Sequence, residues 1–289
     1  AGEIDYIAHL PDSVIAELSQ DESWKPTAVY ATASVLYNNE SDTFSNEHIR
    51  KAFDLAIDRE AIAALGGVTA TAATGCVPSG VSNAPDDTED FRDAGGVLCT
   101  VDTEGYADRC AEASRAMTSA GHYQGAGIPT LRFLYIENEQ TRSVAAALWS
   151  MWRSVTGVAV KLVGLSAEEF DAALAAGDFD LALTTLTARC DDATEYLLPF
   201  CGTSERNVSG YRNDTFDLLI GVAEATGDLT ARAAFLHDAE VMLLEDSALS
   251  PLCFSGTAYL LRDAFRGVSH DCFGHSYFFT VTQAETDAA

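Results

Sequence analysis

The amino-acid sequence predicts an α/β protein in which a mixed, partly parallel sheet is flanked by helices. Its 289 residues are 47% hydrophobic, which is enough apolar surface to form a substantial core. Segments with strand-like composition and segments with helical periodicity follow one another along the chain, as in proteins that pack helices on a sheet. Between residues 130 and 184 the predicted order is strand, helix, strand, helix, strand. Two consecutive βαβ units of this kind imply parallel strands with right-handed crossovers.

The N-terminal part contains one predicted strand, one helix and a long loop. Val29 to Tyr37 is rich in β-branched and aromatic residues, which favours a strand. Ser45 is the predicted N-cap of a helix through about Leu65, because apolar residues recur at helical spacing between them. Residues 69 to 103 lack periodicity and are rich in Gly, Pro, Ser, Asn and Asp, which predicts a long loop.

The central part is the most regular stretch of the sequence. Ser166 and Glu169 have the spacing of a capping box, which predicts that a helix begins there, and Gly177 ends it. The other predicted elements of this part are helices at Tyr106 to Ala120 and Thr141 to Val155 and strands at Thr130 to Ile136, Val158 to Val163 and Phe179 to Thr184.

The C-terminal part is predicted to contain two helices and two short strands. They lie at Asp214 to Ala225, Thr230 to Glu245, Leu249 to Phe254 and Ala258 to Arg262. The polar tail from Gln283 is expected to be frayed.

The charge of the chain excludes some classes of partner. Its formal net charge is −27, and a field of that sign repels phosphate backbones and anionic lipid, so no nucleic-acid partner is expected. No uninterrupted apolar run approaches the roughly 20 residues that span a bilayer.

Seven cysteines are more than a reducing compartment usually favours, and none of them forms a CxxC pair. Disulfides are therefore expected, first of all a bridge from Cys76 to Cys99 that staples the long loop. The N-terminal residues lack the features of an export signal, so such a signal is expected to be removed or to lie upstream.

Four segments in chain order carry a resemblance to a known family. They are FSNEHIRKAFDLAIDREAI from Phe44, AEASRAMTSAGHY from Ala111, ALWSMWRSVTGVAVKLV from Ala147 and AAGDFDLAL from Ala175. The first resembles the R-x-A-x-x-x-A-I-D-R signature of extracellular solute-binding protein family 5, the peptide- and nickel-type binding proteins of ABC importers. Further family-like segments follow in the family's order, so the similarity covers roughly Ile4 to Val268.

The resemblance implies that the chain is the C-terminal portion of a two-lobed, periplasmic-binding-protein-like molecule that holds its ligand between the lobes. Residues 1–36 would form a hinge and first-lobe flanking segment, 37–254 the C-terminal ligand-binding lobe, and 255–289 a return segment and tail. The missing N-terminal lobe and an ABC permease would be its partners. The protein would be extracellular or periplasmic, with a lipid anchor in the full-length form.

Two landmarks of peptide-binding members are absent from this sequence. The family places a tryptophan and an aspartate after the G-D-F-D strand, and the aspartate pairs with the peptide's ammonium group. The corresponding positions hold Leu186 and Arg189. A guanidinium favours an anionic group of the ligand over a free amino terminus. The alternative is that Arg189 forms a local ion pair with Asp191 or Asp192.

These considerations predict a solute-binding component of an ABC importer that captures an oligopeptide or peptide-like small molecule. The binding site is expected near the carboxyl ends of the parallel strands. The candidate ligand-binding residues are Thr185, Leu186, Thr187, Arg189 and Asp191, with Asn38 and Asn39 near the hinge. The alternative is a sensory or structural interaction protein that has kept the fold and lost this binding.

No enzymatic motif or cofactor site is predicted. The sequence lacks the GxSxG, HExxH and P-loop patterns, so neither catalysis nor a cofactor is expected. His270, Cys272 and His275 form an HxCxxH pattern that could bind a soft metal, but it offers only three ligands and Cys272 has a competing role in a disulfide. No metal site is therefore predicted.

Overall fold

A seven-stranded sheet is the centre of the fold in the computed structural model, which describes residues 4–8, 10, 14, 24–67, 69–84 and 88–283. Its strands are β1 (Tyr6–Ile7), β2 (Trp24–Tyr37), β3 (Thr71–Ala72), β4 (Leu131–Ile136), β5 (Val160–Leu165), β6 (Leu181–Thr187) and β7 (Leu249–Leu261). Their order across the sheet is β1-β7-β2-β6-β4-β5, and β3 pairs with β7. Strand β4 is parallel to β5 and β6, and the other pairs are antiparallel. The predicted mixed, partly parallel sheet is confirmed.

Helices cover both faces of this sheet. They are α1 (Glu47–Leu55), α2 (Arg59–Leu65), α3 (Phe91–Gly95), α4 (Tyr106–Ser119), α5 (Glu139–Thr156), α6 (Ala167–Ala175), α7 (Thr194–Leu197), α8 (Asp214–Ala225) and α9 (Leu229–Glu245). Two short antiparallel pairs follow, β8 (Phe265–Arg266) with β11 (Thr282–Gln283) and, between them in the chain, β9 (Ser269–His270) with β10 (Ser276–Tyr277). None of the helices described here is long and apolar enough to cross a membrane.

Alternating side chains of the central strands divide the core into two layers. On β6, Leu181 and Leu183 pack with α1, α4 and α5, whereas Ala182 and Leu186 face the layer that contains α8 and α9. This alternation follows from the two-residue period of a strand. The sheet is therefore apolar on both faces, as expected for a sheet with helices on each side.

The predicted helix from Ser45 to Leu65 is two helices in the structure. Asn46, not Ser45, caps α1, and the side chain of Asp58 accepts a hydrogen bond from the Ala61 amide to begin α2. Asp58 thus caps the second helix, because its side chain accepts from a first-turn amide that has no partner within the helix. At this break the fully buried Arg59 pairs with Asp54, and the Nε atom of Arg59 donates to the Pro251 carbonyl at 2.8 Å.

The two strands predicted near the C-terminus are one strand, β7, because they pair along one long partner. Strand β2 begins at Trp24, five residues earlier than predicted, and pairs with β7 on both sides of a register shift between Ala28 and Thr32. Beyond that irregularity the two strands continue as a ribbon that pairs with the short β1. The predicted domain boundary at 254/255 falls inside β7, and the tail residues 284–289 lie outside the described part of the chain.

In its described residues, the long predicted loop contains the short elements β3 and α3, and a buried ion pair holds it to α9. The Oε1 atom of Glu240 accepts hydrogen bonds from the amides of Cys76 (2.7 Å) and Val77 (2.9 Å) and from Arg92 Nη1 (2.7 Å). The expected bridge from Cys76 to Cys99 is not formed here, since all seven cysteines carry free thiols. The pairing of these two cysteines stays a prediction.

Candidate functional site

The strand order changes direction at the carboxyl end of β4. From β4 the chain passes through α5 to β5 on one side, and then through α6 to β6 on the other side. Helix α5 packs into one core layer, through Val144 and Leu148, and α6 packs into the opposite layer, through Phe170. The first connection leaves β4, whereas the second leaves β5 and crosses over β4 on the opposite face to reach β6. Such a reversal creates a crevice at the carboxyl ends of β4 and β6, which is where open α/β sheets bind ligands.

A cavity of about 460 Å³ occupies this crevice. That volume lies within the range of about 300–1,000 Å³ typical of small-molecule sites. Its apolar lining comes mainly from α2, β4, α5, β6 and β7: Ile62, Ile136, Val144, Leu183 and Leu252. Its polar lining includes Asn138, Gln140, Thr141, Asp171, Thr184, Thr185 and Ser255. The cavity thus combines apolar surface with a few polar groups, as ligand sites commonly do.

The first turn of α5 forms one wall of the cavity, and its geometry is fixed by a capping box. Asn138 Oδ1 accepts from the Thr141 amide at 2.9 Å, and Thr141 Oγ1 accepts from the Asn138 amide at 3.2 Å. Gln140 extends the wall toward α2, because its Nε2 donates to the Gly66 carbonyl at 2.5 Å. These bonds satisfy local donors and hold the wall rigid without a ligand.

Cys253 on β7 also lines the cavity. Burial raises the pKa of its thiol to about 11, so the thiol is protonated at neutral pH. A protonated thiol is a weak nucleophile, and the side chain acts as a small apolar surface.

Of the candidate residues on β6, the structure brings Thr185 into the cavity. Its side chain is exposed, and the residue pairs with Ala33 of β2, which lines the same cavity. Leu186 points to the other face of the sheet and packs against the core layer of α8 and α9. Thr187 is exposed at the end of the strand and lies outside the cavity lining.

Arg189 and Asp191 lie on the loop after β6, also outside the cavity lining. The Arg189 side chain is 76% exposed, and its Nε lies 3.4 Å from Glu195 Oε2. Asp191 binds Ser82, accepting from its amide at 2.7 Å and from its hydroxyl at 2.6 Å. Arg189 therefore forms a local ion pair, although its partner is Glu195 and not one of the two adjacent aspartates.

Asn38 and Asn39 follow β2 at the opposite end of its pairing with β6, and the structure does not bring them to the cavity. Asn38 Nδ2 donates to the Phe179 carbonyl at 2.9 Å, and Asn39 Nδ2 donates to the Ser209 carbonyl at 3.2 Å. Both amides tie the turn after β2 to neighbouring loops.

The HxCxxH pattern does not assemble into a metal site. His270 stacks on Tyr259 with ring centroids 3.9 Å apart, and His275 Nδ1 lies 2.9 Å from Asp271 Oδ2. Within the ranges the structure describes, no group of three or more His, Cys, Asp or Glu side chains is arranged to hold a metal ion.

Sequence reasoning missed several residues of the cavity wall, of which Asn138, Gln140 and Asp171 are polar. A signal for Asn138 was present, because Asn followed three residues later by Thr can form a reciprocal cap. Gln140 and Asp171 carry no such signal, since they reach the cavity only through the packing of α5 and α6.

The chain is similar to proteins that are named for binding peptides. The chain is 24% identical over 275 residues to the dipeptide-binding protein DppE of Bacillus subtilis, covering 95% of this chain and 49% of that one. It is 28% identical over 279 residues to the periplasmic oligopeptide-binding protein OppA of Haemophilus influenzae, covering 93% and 49%. The crystal structure of Haemophilus influenzae OppA in complex with the peptide RPPGFSPFR superposes with a TM-score of 0.77 at 26% identity, covering 98% and 54%.

The chain spans about half the length of the relatives it matches. The family described as bacterial extracellular solute-binding proteins, family 5 Middle, matches residues 1–207, which is more than two thirds of the chain. This match agrees with the ordered motifs of the sequence and with the fold, and the chain therefore belongs to the family 5 extracellular solute-binding proteins.

Proposed function

We propose that the chain forms one lobe of the solute-binding component of an ABC importer, and that it captures an oligopeptide or a peptide-like small molecule for delivery to the membrane permease. The observation that carries this proposal is the cavity of about 460 Å³ at the carboxyl ends of β4 and β6. Relatives named for binding dipeptides and oligopeptides support the ligand class. The family is one of solute-binding proteins, and we propose binding without catalysis.

The proposed domain division follows the two long strands. Residues 37–254 would form the ligand-binding lobe, and residues 1–36 and 255–289 would lead toward a second lobe. The ribbon of β2 and β7 beyond the register shift supports this division, because it carries both strands away from the cavity end of β6. A ligand would then lie between the cavity wall and the second lobe.

The proposed contacts are Thr185 together with Asn138, Gln140 and Asp171, which line the cavity. Leu186, Thr187, Arg189 and Asp191 are not part of that lining. We therefore place the ligand against the β4 and β6 ends and the first turn of α5, with the β6 exit loop beside it.

Filling the cavity should remove ligand binding. In the full-length protein with both lobes, Thr185→Trp is expected to weaken peptide affinity by about tenfold or more, because the indole occupies space that the ligand needs. Isothermal titration calorimetry against a mixed oligopeptide library measures the effect. Thr230→Trp, on the exposed start of α9, is the matched control and should bind like the unaltered protein.

Two outcomes would contradict the proposal. Unchanged affinity of Thr185→Trp would place the ligand elsewhere. Failure of the unaltered full-length protein to bind any oligopeptide at millimolar concentration would favour the alternative of a sensory or structural interaction protein.

We further propose an extracellular or periplasmic location with a lipid anchor in the full-length form. Relatives described as periplasmic binding proteins support the location. A diacylglyceryl-modified cysteine at the mature N-terminus of the full-length protein is the expected mark of the anchor.

Oxidation of the Cys76 and Cys99 thiols to a disulfide is part of the same proposal. Both side chains are buried, and the Cys99 amide donates to the carbonyl of Thr74, two residues before Cys76, at 2.9 Å. In exported protein, mass spectrometry of a non-reduced digest should recover the peptides of the two cysteines joined to each other. Recovery of both cysteines as free thiols would contradict the proposed disulfide.

A further inference from the structure

The described lining of the cavity is acidic, whereas the sequence position of Arg189 predicts a preference for anions. Asp171 is the single charged residue among those described as lining it, and no Lys, Arg or His contributes to that lining. Asp171 is exposed and forms no ion pair within the described ranges. The chain as a whole carries a charge of −27, which adds to the negative potential.

The cations nearby in sequence are already engaged. Arg142 on α5 binds Glu137, with Nε 2.7 Å from Oε1. Arg189, whose position in the sequence suggested an anionic ligand, pairs with Glu195 outside the cavity. Neither guanidinium is left to neutralise a carboxylate in the cavity.

The cap of α5 already uses part of the donor capacity of this helix N-terminus. Helix N-termini bind anions through free backbone amides. Here the Thr141 amide is bound by its cap, Asn138, and the Thr141 hydroxyl donates to the Ile136 carbonyl at 2.5 Å. The side-chain nitrogen of Gln140, Nε2, donates to the Gly66 carbonyl, which leaves the side-chain oxygen as an acceptor.

We infer that the ligand group held in this cavity is uncharged or cationic, and that a peptide is rejected when it places a carboxylate there. This inference rests on the proposed function and deepens it. A carboxylate moved into the cavity loses its hydration without gaining a cation, and Asp171 repels it. An ammonium or guanidinium group is attracted by Asp171, and an uncharged group contacts the apolar side chains of the lining.

The experiment is a charge scan of peptides on the full-length protein with both lobes. Peptides of one length carry Lys, Gln or Glu at each position in turn, and calorimetry measures their affinities at low ionic strength. At one position, the Glu peptide should bind about tenfold more weakly than the Lys peptide, and added salt should shrink the difference. Equal or tighter binding of the Glu peptides at every position would overturn the inference.

Two variants show whether the cavity is the source of the preference. Asp171→Asn should reduce the advantage of Lys over Gln at that position. Glu168→Gln, which removes another exposed carboxylate from the same helix but not from the cavity, should leave that advantage unchanged. An equal effect of both substitutions would overturn the assignment to Asp171, because the preference would then follow the overall charge.

The failure of this inference and of the proposed function are distinguishable. Tight binding of peptides without any discrimination by charge would overturn the inference alone. Absence of binding by every peptide would overturn the proposed function, and with it the inference.

Discussion

Glu240→Ala is expected to destabilise the fold by about 3–5 kcal/mol, since it leaves the Arg92 guanidinium buried without its counter-charge. Both side chains are almost completely shielded from solvent, at 0% and 3% exposure, and their ion pair is 2.7 Å long. The substitution also leaves the amides of Cys76 and Val77 without their acceptor. An unpaired buried donor adds to the cost of the unpaired charge.

The position of Gly75 shows how closely the chain is built around this ion pair. A Cβ atom at Gly75 would lie 1.7 Å from Arg92 Nη1 and 2.8 Å from Glu240 Oε1. Only glycine leaves room for the guanidinium to reach the carboxylate. Glu240 and Arg92 therefore hold this part of the loop against α9.

Chemical denaturation of Glu240→Ala, with Glu245→Ala as control, measures the effect. Glu245 is exposed on the last turn of the same helix, so its substitution should change the stability by less than about 0.5 kcal/mol. The double variant Arg92→Met with Glu240→Leu should recover much of the loss, because it removes both buried charges. A loss below about 1 kcal/mol for Glu240→Ala would mean that the ion pair does not hold the loop.

Trp152→Ala is expected to cost about 3–5 kcal/mol, because it leaves a large cavity in the core layer of α1, α4 and α5. The indole is fully buried. Its ring lies 5.3 Å from that of Phe53 and 5.1 Å from that of Phe133, and its Nε1 donates to the Phe53 carbonyl at 3.0 Å. The substitution removes both the packing and the hydrogen bond.

Trp149→Ala is the matched control, since the same residue type lies one turn earlier on the same helix. That side chain is 37% exposed, and its Nε1 donates to the Val160 carbonyl at 3.1 Å. Its loss should cost about 1 kcal/mol, mostly for the hydrogen bond. Similar costs for the two variants in thermal or denaturant unfolding would contradict the assignment of Trp152 to the core.

The central βαβαβ part was predictable because local signals agree there with the tertiary structure. The capping box of Ser166 and Glu169 forms as predicted, and the predicted parallel arrangement is confirmed by the pairing of β4 with β5 and β6. Helix α8 has the predicted bounds. In these segments the apolar periodicity and the capping residues indicate the same helix and strand bounds, so the bounds follow from the local sequence.

The helix break and the long strand depend on contacts that the sequence does not display. The interruption before Asp58 accompanies the pairing of Arg59 with Asp54 and β7, which lies almost 200 residues away. Strand β7 continues through Gly256 because β2 pairs with it on both sides of the irregularity. Gly256 lies next to this irregularity, as a glycine within a strand often does, and the strand continues past it.

The cavity lies at the edge of the sheet where the sequence predicts the site, and Thr185 is the one candidate residue in its described lining. Adjacent residues of a strand face opposite sides, so Thr185 reaches the cavity while Leu186 packs into the other layer. An alignment of motifs gives positions along the chain, and it does not show that Arg189 pairs with Glu195 or that Asn38 lies at the far end of β6. Those facts follow from the loops, whose paths carry weaker sequence signals.

The most direct test of the solute-binding account is a crystal structure of the full-length protein with a bound oligopeptide. We expect part of the peptide to occupy the crevice at the ends of β4 and β6, in contact with Thr185 and the first turn of α5. A peptide bound outside this crevice, with the cavity holding only water, would contradict the account.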